Sequence, residues 1–402
     1  MKAVILAANR SERLNPFTET RPKPMIRIAG NYILETSIEF LREVGIREII
    51  LVVNYKRDMI QEYFSYGDPL GVNIEYVVQE SIEGIGNALK LCEPILGKDE
   101  PFLLVYGDVL ADGNIFQDAL KTHYETGEDL AVVSLPQSSE EFGNVYLDHE
   151  MRIRRLIEKP QEGQTANYVF AGVFVLSSSI FQRLEAYQND MEQCFQALIH
   201  EKGLQATLWE KGWIDIIYPW HILEANKMMM DLWQEARVHH SVVMQGQVHL
   251  EGPVIVEKNV TIESGTILKG PCFIGQNSYI GNNALIRGYS VLGPNSLIGY
   301  GSELKNSVLL GASNIGRLSF VGDSVVGENV KLGSGTTTVN HLPDFTTIQY
   351  KSGKRMVNSG LEKLGAFIGD NVIIGARHTL APGTSIKSGE MILDNLTLPS
   401  NQ

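Results

Sequence analysis

The feature that most constrains this chain is a six-residue beat in its second half. From Met244 onward every sixth residue is aliphatic: Leu250, Val256, Ile262, Leu268, Ile274, Ile280, Ile286, Leu292, Ile298, Leu304 and Leu310. Two positions before these stand small or β-branched residues, as at Val260, Thr266, Ser278, Ala284, Ser290, Ser296 and Ser302. A period of six fits neither the helical repeat of about 3.6 residues nor a strand whose side chains alternate between two faces. It fits short strands joined by corners into a prism, each strand sending one large aliphatic inward. The segments Gly275 to Asn277, Gly281 to Asn283 and Gly293 to Asn295 suit those corners, because glycine and asparagine tolerate positive φ. The frame slips near Gly316, resumes at Val326 and Leu332, and returns after a loop at Ile368, Ile374, Leu380, Ile386 and Ile392.

The first part of the chain obeys a different rule. Glycine is about half as frequent before residue 238 as after it. Apolar strand candidates at Ala3–Ala8, Glu48–Asn54, Asn73–Gln79, Phe102–Tyr106, Leu130–Leu135 and Val169–Leu176 alternate with amphipathic stretches. Those stretches, at Ile33–Val44, Asp58–Tyr66, Asn87–Cys92 and Ile115–Glu125, read as helices. Such alternation predicts a mainly parallel sheet covered on both faces, with ligands bound beyond the carboxyl ends of strands. Residues 1–237 therefore form an α/β domain and residues 238–402 a solenoid, joined through a helix over Pro219–Arg237. The segment 337–364 interrupts the solenoid and carries Tyr350, Lys351, Lys354 and Arg355.

Length and charge narrow the function classes. Two or three domains are expected of 402 residues. With 47 acidic against 34 basic residues the net charge is −13, the wrong sign for a nucleic-acid binder. No apolar run approaches the roughly 18 residues of a membrane span. Cys92, Cys194 and Cys272 lie too far apart for a disulfide frame or a metal motif, and the expected location is the cytoplasm.

Against that acidic background the segment 10–27 is basic, with Arg10, Arg13, Arg21, Lys23 and Arg27 opposed by Glu12 and Glu19. A basic loop leaving the first strand of such a sheet sits where phosphates bind. Here the sequence resembles the sugar-1-phosphate nucleotidylyltransferases, whose opening pattern is L-A-A-G-x-G-x-R-L-x-P-x-T-x-x-x-P-K-P. Leu6 to Met25 matches it in register. Gln79 with Gly84 and Ala88 resembles the family's base-reading segment, and Tyr106, Gly107 and Asp108 its metal-binding strand end. Phe142 and Gly143, then Glu158, Lys159 and Pro160, resemble sugar-contacting motifs, and Trp213 to Asp215 resembles the second metal motif. The hexads resemble the left-handed parallel β-helix, and the two-domain layout is most like the uridylyltransferase/acetyltransferase branch and its archaeal relatives. The fold implied is a Rossmann-like nucleotidyltransferase domain followed by a left-handed β-helix.

The reaction implied joins a sugar-1-phosphate to UTP or dTTP and releases pyrophosphate. The attacking phosphate has a second pKa of about 6 and is already ionised, so no general base is required. What two polyanions need is screening and positioning. By resemblance Arg13 and Lys23 are catalytic, and Asp108 and Asp215 hold Mg²⁺, a hard ion that prefers oxygen ligands. Leu6, Ala8, Asn9, Ser11, Gln79, Gly84, Gly143, Glu158, Lys159 and Gly172 would line the substrates.

Several family positions differ. Asn9 and Ser11 replace the loop glycines, Ile85 a threonine, Phe170 an asparagine that contacts the sugar, and Ile217 a glycine. These departures leave open a partner subunit that binds nucleotide sugar with little or no turnover. On the solenoid, Arg317 replaces the histidine base of an acetyltransferase motif and Phe320 a tyrosine, while Asn340 matches and His341 and His378 are conceivable substitutes. An always-protonated guanidinium cannot take a proton, so acyl-CoA-dependent transfer at Arg317, Asn340 and His341 is a third alternative. Relatives of this layout imply a cyclic trimer built by residues 240–400, with segment 337–364 reaching a neighbour.

Overall fold

The computed structural model describes residues 1–81, 83–97, 100–135, 144–157, 168–201 and 203–393. The chain divides into two compact units, one of Met1–Arg10, Pro22–Met25 and Tyr32–Asp215, the other of Ser11–Arg21, Ile26–Asn31 and Ile216–Gln402. Among the described residues no helix is long and apolar enough to cross a membrane.

The strands of the first unit are β1 (Ala3–Ala7), β2 (Glu48–Val53), β3 (Asn73–Val78), β4 (Phe102–Tyr106), β5 (Val109–Ala111), β6 (Leu130–Ser134), β7 (Asn144–Leu147), β8 (Arg152–Ile157), β9 (Tyr168–Leu176), β10 (Leu204–Trp209) and β11 (Trp213–Asp215). Nine of them form one sheet in the order β3-β2-β1-β4-β9-β6-β10-β8-β7. The half from β3 to β4 is parallel, as expected. Beyond it β9 runs antiparallel to both β4 and β6, so the sheet as a whole is mixed. Alternate residues of β1 feed opposite cores: Ala3, Ile5 and Ala7 meet Leu34, Ile38 and Ile60, whereas Val4 shares a core with Leu89, Leu184 and Leu198. Burial on both faces is why these strands read as unbroken apolar runs.

In the second unit three all-parallel sheets of eight, eight and seven strands stack along the chain. Val256 pairs with Ile274 and Ile274 with Leu292, a step of eighteen residues or three hexads. The inward aliphatics from Val256 to Ile386 form one buried column, whereas Met244 is exposed and Leu250 and Ile392 are half-buried at its ends. The frame slips earlier than the sequence indicated. Leu292 pairs with Leu309, a step of seventeen, and Leu304 with Val321, so Leu309 rather than Leu310 joins the column. The later step from Val326 to Ile368 spans 42 residues and accommodates a hairpin of Gln349–Ser352 with Arg355–Asn358.

Corner chemistry divides between two residue types. The asparagines take the left-handed conformation, with φ of 59° at Asn277, 55° at Asn283 and 59° at Asn295. The glycines serve close approach instead: a Cβ on Gly293 would lie 2.3 Å from the Leu310 carbonyl oxygen of the next coil. Buried hydroxyls satisfy the corner carbonyls, as from Ser296 Oγ to Gly293 O at 2.7 Å and Ser313 Oγ to Gly327 O at 2.7 Å. The connecting helix is shorter than expected, His221–Met230, because Arg237 and Val238 already pair with the second coil.

All three thiols are buried and free, and burial pushes Cys92 and Cys272 up to about 12 and Cys194 to about 11. Leu332 belongs to the inward column whereas its neighbour Lys331 is exposed. In urea titrations Leu332→Ala is expected to cost about 2–5 kcal/mol and Lys331→Ala less than about 0.5 kcal/mol. Equal losses would mean that the inward register is misassigned.

Candidate active site

The site begins where the sheet changes direction of growth. The chain builds β1, β2 and β3 outward on one side, then returns to place β4 on the other side of β1. The carboxyl ends of β1 and β4 thus flank a topological switch point, the usual ligand crevice of an open α/β sheet. Gly107 closes β4 tightly on β1, its N–H donating to the Leu6 carbonyl at 2.9 Å. A Cβ there would sit 2.7 Å from the same oxygen, so only glycine lets Asp108 follow directly.

Asp215 arrives from a separate ribbon. Strand β11 pairs antiparallel with β5, setting Asp215 opposite Val109, next to Asp108. Trp213 Nε1 donates to the Ala171 carbonyl at 3.0 Å and fixes the ribbon against β9. Gly172 follows at φ +75°, where the β9–β6 register shifts, and its Cβ would strike Val109 Cγ2 at 2.6 Å. Gly172 therefore has a packing role in addition to the substrate contact inferred for it.

Lys23 joins the two carboxylates. Its Nζ donates to Asp108 Oδ2 at 2.8 Å and to Asp215 Oδ1 at 2.6 Å, and the side chain is 5% exposed. Burial works against the ammonium, but the charges and hydrogen bonds of Asp108 and Asp215 outweigh it and hold the pKa above the usual lysine value. The ammonium stands where a cation is called for. Both acids remain partly open, at 29% and 27% exposure. Among the described residues no group of three or more acidic, histidine or cysteine side chains is arranged around a metal. A pair of carboxylates with open positions fits an ion that takes one or two carboxylates and completes its shell with phosphate and water oxygens.

Gln79 is buried just beyond β3, its amide donating to Gly84 O and Asn87 Oδ1, both at 3.2 Å. Gly84, at φ +91° with open space at its Cβ, precedes the short helix Ile85–Lys90, and the half-buried Ile85 packs against the core. Gly86, which the sequence did not single out, has a Cβ position 2.0 Å from the Asn189 carbonyl. Ala8 is buried and Asn9 exposed beyond β1, and Arg10 lies over the Tyr55 ring at 5.4 Å. Phe170 turns to Phe174 and Phe195, with ring centroids 5.2 and 5.5 Å away. Gly143, Glu158 and Lys159 lie outside the described residues.

Ser11 and Arg13 belong to the second unit. Ser11 adopts φ 50°, ψ 59°, so the backbone keeps the left-handed turn although a side chain is present, whereas Asn9 lies outside that region. Arg13 lies over the Tyr218 ring at 5.7 Å. Ile217 is buried, its N–H donating to His221 Nδ1 at 3.0 Å.

The solenoid separates the residues of the third alternative. Asn340 donates to Asp323, and its Oδ1 lies 3.3 Å from His341 Nδ1. Arg317 instead lines a groove with Tyr279, Asn282, Tyr300 and Lys331. It occupies the corner before strand Phe320–Gly322, and Asp323 the corner after it. Six residues carry the chain across one whole face of the prism, so Arg317 is not gathered with Asn340 and His341.

This fold and this pair of carboxylates define a nucleotidyl transferase, and the chain belongs to that family: the family model for nucleotidyl transferases matches residues 2–231. A model for the GMPPB C-terminal domain matches residues 268–342 of the left-handed β-helix. The bifunctional protein GlmU of Methanocaldococcus jannaschii is 35% identical over 96% of this chain and 92% of its own length. A bifunctional sugar-1-phosphate nucleotidylyltransferase/acetyltransferase of Sulfurisphaera tokodaii is 33% identical over 96% and 94%. A Bacillus anthracis crystal structure, provisionally assigned as a glucose-1-phosphate thymidylyltransferase and bound to sucrose, shares the fold of the first part. It covers 57% of this chain and 95% of its own, with TM-score 0.53 and 21% identity.

Removing Lys23 leaves two carboxylates facing each other, so Lys23→Ala is expected to lose about 3–5 kcal/mol of stability. Millimolar divalent cation should then raise the melting temperature of Lys23→Ala more than that of the wild type. Equal shifts would remove Asp108 and Asp215 as metal ligands. Ser11→Gly, which relieves a left-handed non-glycine residue, is expected to stabilise by about 1 kcal/mol in the same melts.

Proposed function

We propose that the protein is a sugar-1-phosphate nucleotidylyltransferase that uses UTP or dTTP and Mg²⁺ and releases pyrophosphate. The observation that carries this reading is the buried Lys23 ammonium held between Asp108 and Asp215 at the switch point. Mg²⁺ bound by Asp108 and Asp215 would supply charge neutralisation to the phosphates. The chain's own residues do the rest. Lys23, released from one carboxylate, offers its donors to a phosphate oxygen, and the guanidinium of Arg13 offers planar donors to another. Gln79 is assigned to a uracil or thymine edge by resemblance, and its amide would have to exchange its bonds to Gly84 O and Asn87 Oδ1 for the base. Glu158 and Lys159 are assigned to the sugar by resemblance alone. A histidine base is not needed, because the nucleophile is ionised at neutral pH.

A second reading, binding of nucleotide sugar without turnover, is favoured by the strained Ser11 and by Phe170, whose ring is drawn into an aromatic cluster. Pyrophosphate release measured across triphosphates and sugar-1-phosphates separates the two. Turnover with UTP or dTTP, abolished by EDTA and cut at least about 100-fold by Asp108→Asn, is expected. Nucleotide binding without any release would establish the second reading instead.

Assembly is proposed as a cyclic trimer through the solenoid, supported by an outward row that includes Val243, Tyr279, Leu297 and Met391, all exposed. Tyr350 cannot serve as a neighbour's contact, since it is buried against Trp220 and Phe367 of its own chain. Light scattering at micromolar concentration is expected to give three times the chain mass; a monomer would refute the trimer.

A further inference from the structure

Arg21 is the second buried cation of the signature segment, and the reaction proposed above gives it no task. Its side chain is 3% exposed and lies among acids of the solenoid. Nη1 donates to Glu328 Oε1 at 2.6 Å, and Nη2 donates to Asp370 Oδ2. Thr20 Oγ1 donates to that same Asp370 oxygen at 2.6 Å, while the other oxygen accepts the Glu328 N–H at 2.7 Å. The rest of the loop is held as firmly. Ser388 N–H donates to Glu19 Oε2 at 2.9 Å, the Tyr350 hydroxyl donates to the Asn15 carbonyl at 2.8 Å, and Phe17 meets Phe367 edge-on at 6.4 Å.

A solvated surface loop needs none of these contacts. Burying an arginine with carboxylates is weak evidence for stability, because desolvation consumes most of the attraction, but it does enforce one geometry. The geometry enforced here is that of the stretch containing Ser11 and Arg13. Two residues beyond Arg21 the same chain delivers Lys23 to Asp108 and Asp215.

We propose that Arg21, Asp370 and Tyr350 are positioning residues of the transferase: the solenoid clamps the signature loop, making nucleotidyl transfer conditional on the coils around Asp370. The clamp rests on the contacts above, and its role in transfer rests on the reading of the preceding subsection.

The test uses the full chain as wild type, as Tyr350→Phe, and as the double variant Arg21→Met with Asp370→Leu. Replacing both charges avoids an unpaired buried ion, and Tyr350→Phe keeps the ring packing while removing the hydroxyl's bonds to Asn15 and Ser385. Hydrogen exchange without ligand is expected to be about tenfold faster or more for residues 11–21 in both variants, with Ala3–Ala7 and residues 254–298 unchanged. KM for the triphosphate is expected to rise about 3- to 30-fold in pyrophosphate-release assays, with a smaller change in kcat. Unchanged loop exchange in both variants would overturn the clamp. Faster exchange with unaltered kinetics would overturn its role in transfer. A wild type that turns over no triphosphate would overturn the transferase reading and that role together, while the exchange arm still decides the clamp.

Discussion

Two buried cations two residues apart organise the signature segment, and each is paired with carboxylates from a different region of the sequence. Lys23 is held by Asp108 and Asp215, Arg21 by Glu328 and Asp370. A buried ion with one partner missing is strongly unfavourable, whereas a complete set roughly balances its desolvation. Such sets contribute little to net stability but penalise every arrangement except one. The apolar columns of the sheet and the solenoid supply the folding free energy, and the ionic triads choose which loop conformation that energy supports. The Lys23 triad also keeps two carboxylates close together, so on the proposed reading a metal ion would meet a preformed pair.

The fold was legible to the degree that burial was one-sided or complete. Most of the six strands read in the sheet could be read because both their faces are covered; the edge strand Asn73–Val78, exposed at Asn73 and Glu75, showed itself by alternation instead. Arg152–Ile157 could not, since Arg152, Arg154 and Arg155 interrupt any apolar run near the sheet edge. The hexad period was legible because each hexad buries one large aliphatic and, two positions earlier, one small or β-branched residue. Its one-residue slip was not, because Leu309 and Leu310 are both aliphatic and either could continue the column. Likewise asparagine and glycine recur together at corners, and composition alone could not divide left-handed conformation from close approach. Asn277 takes the first and Gly293 the second.

At the candidate site, residue types pointed to charge and chemistry but not to who partners whom. Asp108, Asp215 and Lys23 come together as the motif order implied, yet the lysine bridges the acids instead of waiting free for phosphate. Tyr350 illustrates the opposite failure. A hairpin rich in lysine and arginine reads as exposed, but in an antiparallel pair the faces alternate, and Tyr350 is on the inner one while Lys351 faces out. Arg317 and Asn340 looked adjacent because each sits in an acetyltransferase-like motif. The prism separates them, since consecutive hexads occupy consecutive faces.

The departures from the family pattern are not equivalent once their backbone is known. Ser11 retains the left-handed turn, so the loop's peptide orientations survive with a hydroxymethyl group added. Residues held in such regions persist only when their surroundings over-determine them, and the Asn15, Glu19, Thr20 and Arg21 contacts do so here. Phe170 differs in kind: its ring is committed to Phe174 and Phe195, and the polar amide it replaces has no substitute at that position. On the proposed reading the phosphate-handling side keeps its ionic set and backbone, and the change falls on the position that relatives use for the sugar. Altered sugar preference follows from that distribution more directly than loss of phosphoryl chemistry does, because a hydrogen-bonding site exchanged for an apolar one discriminates among hydroxyl patterns without touching the charges that stabilise transfer.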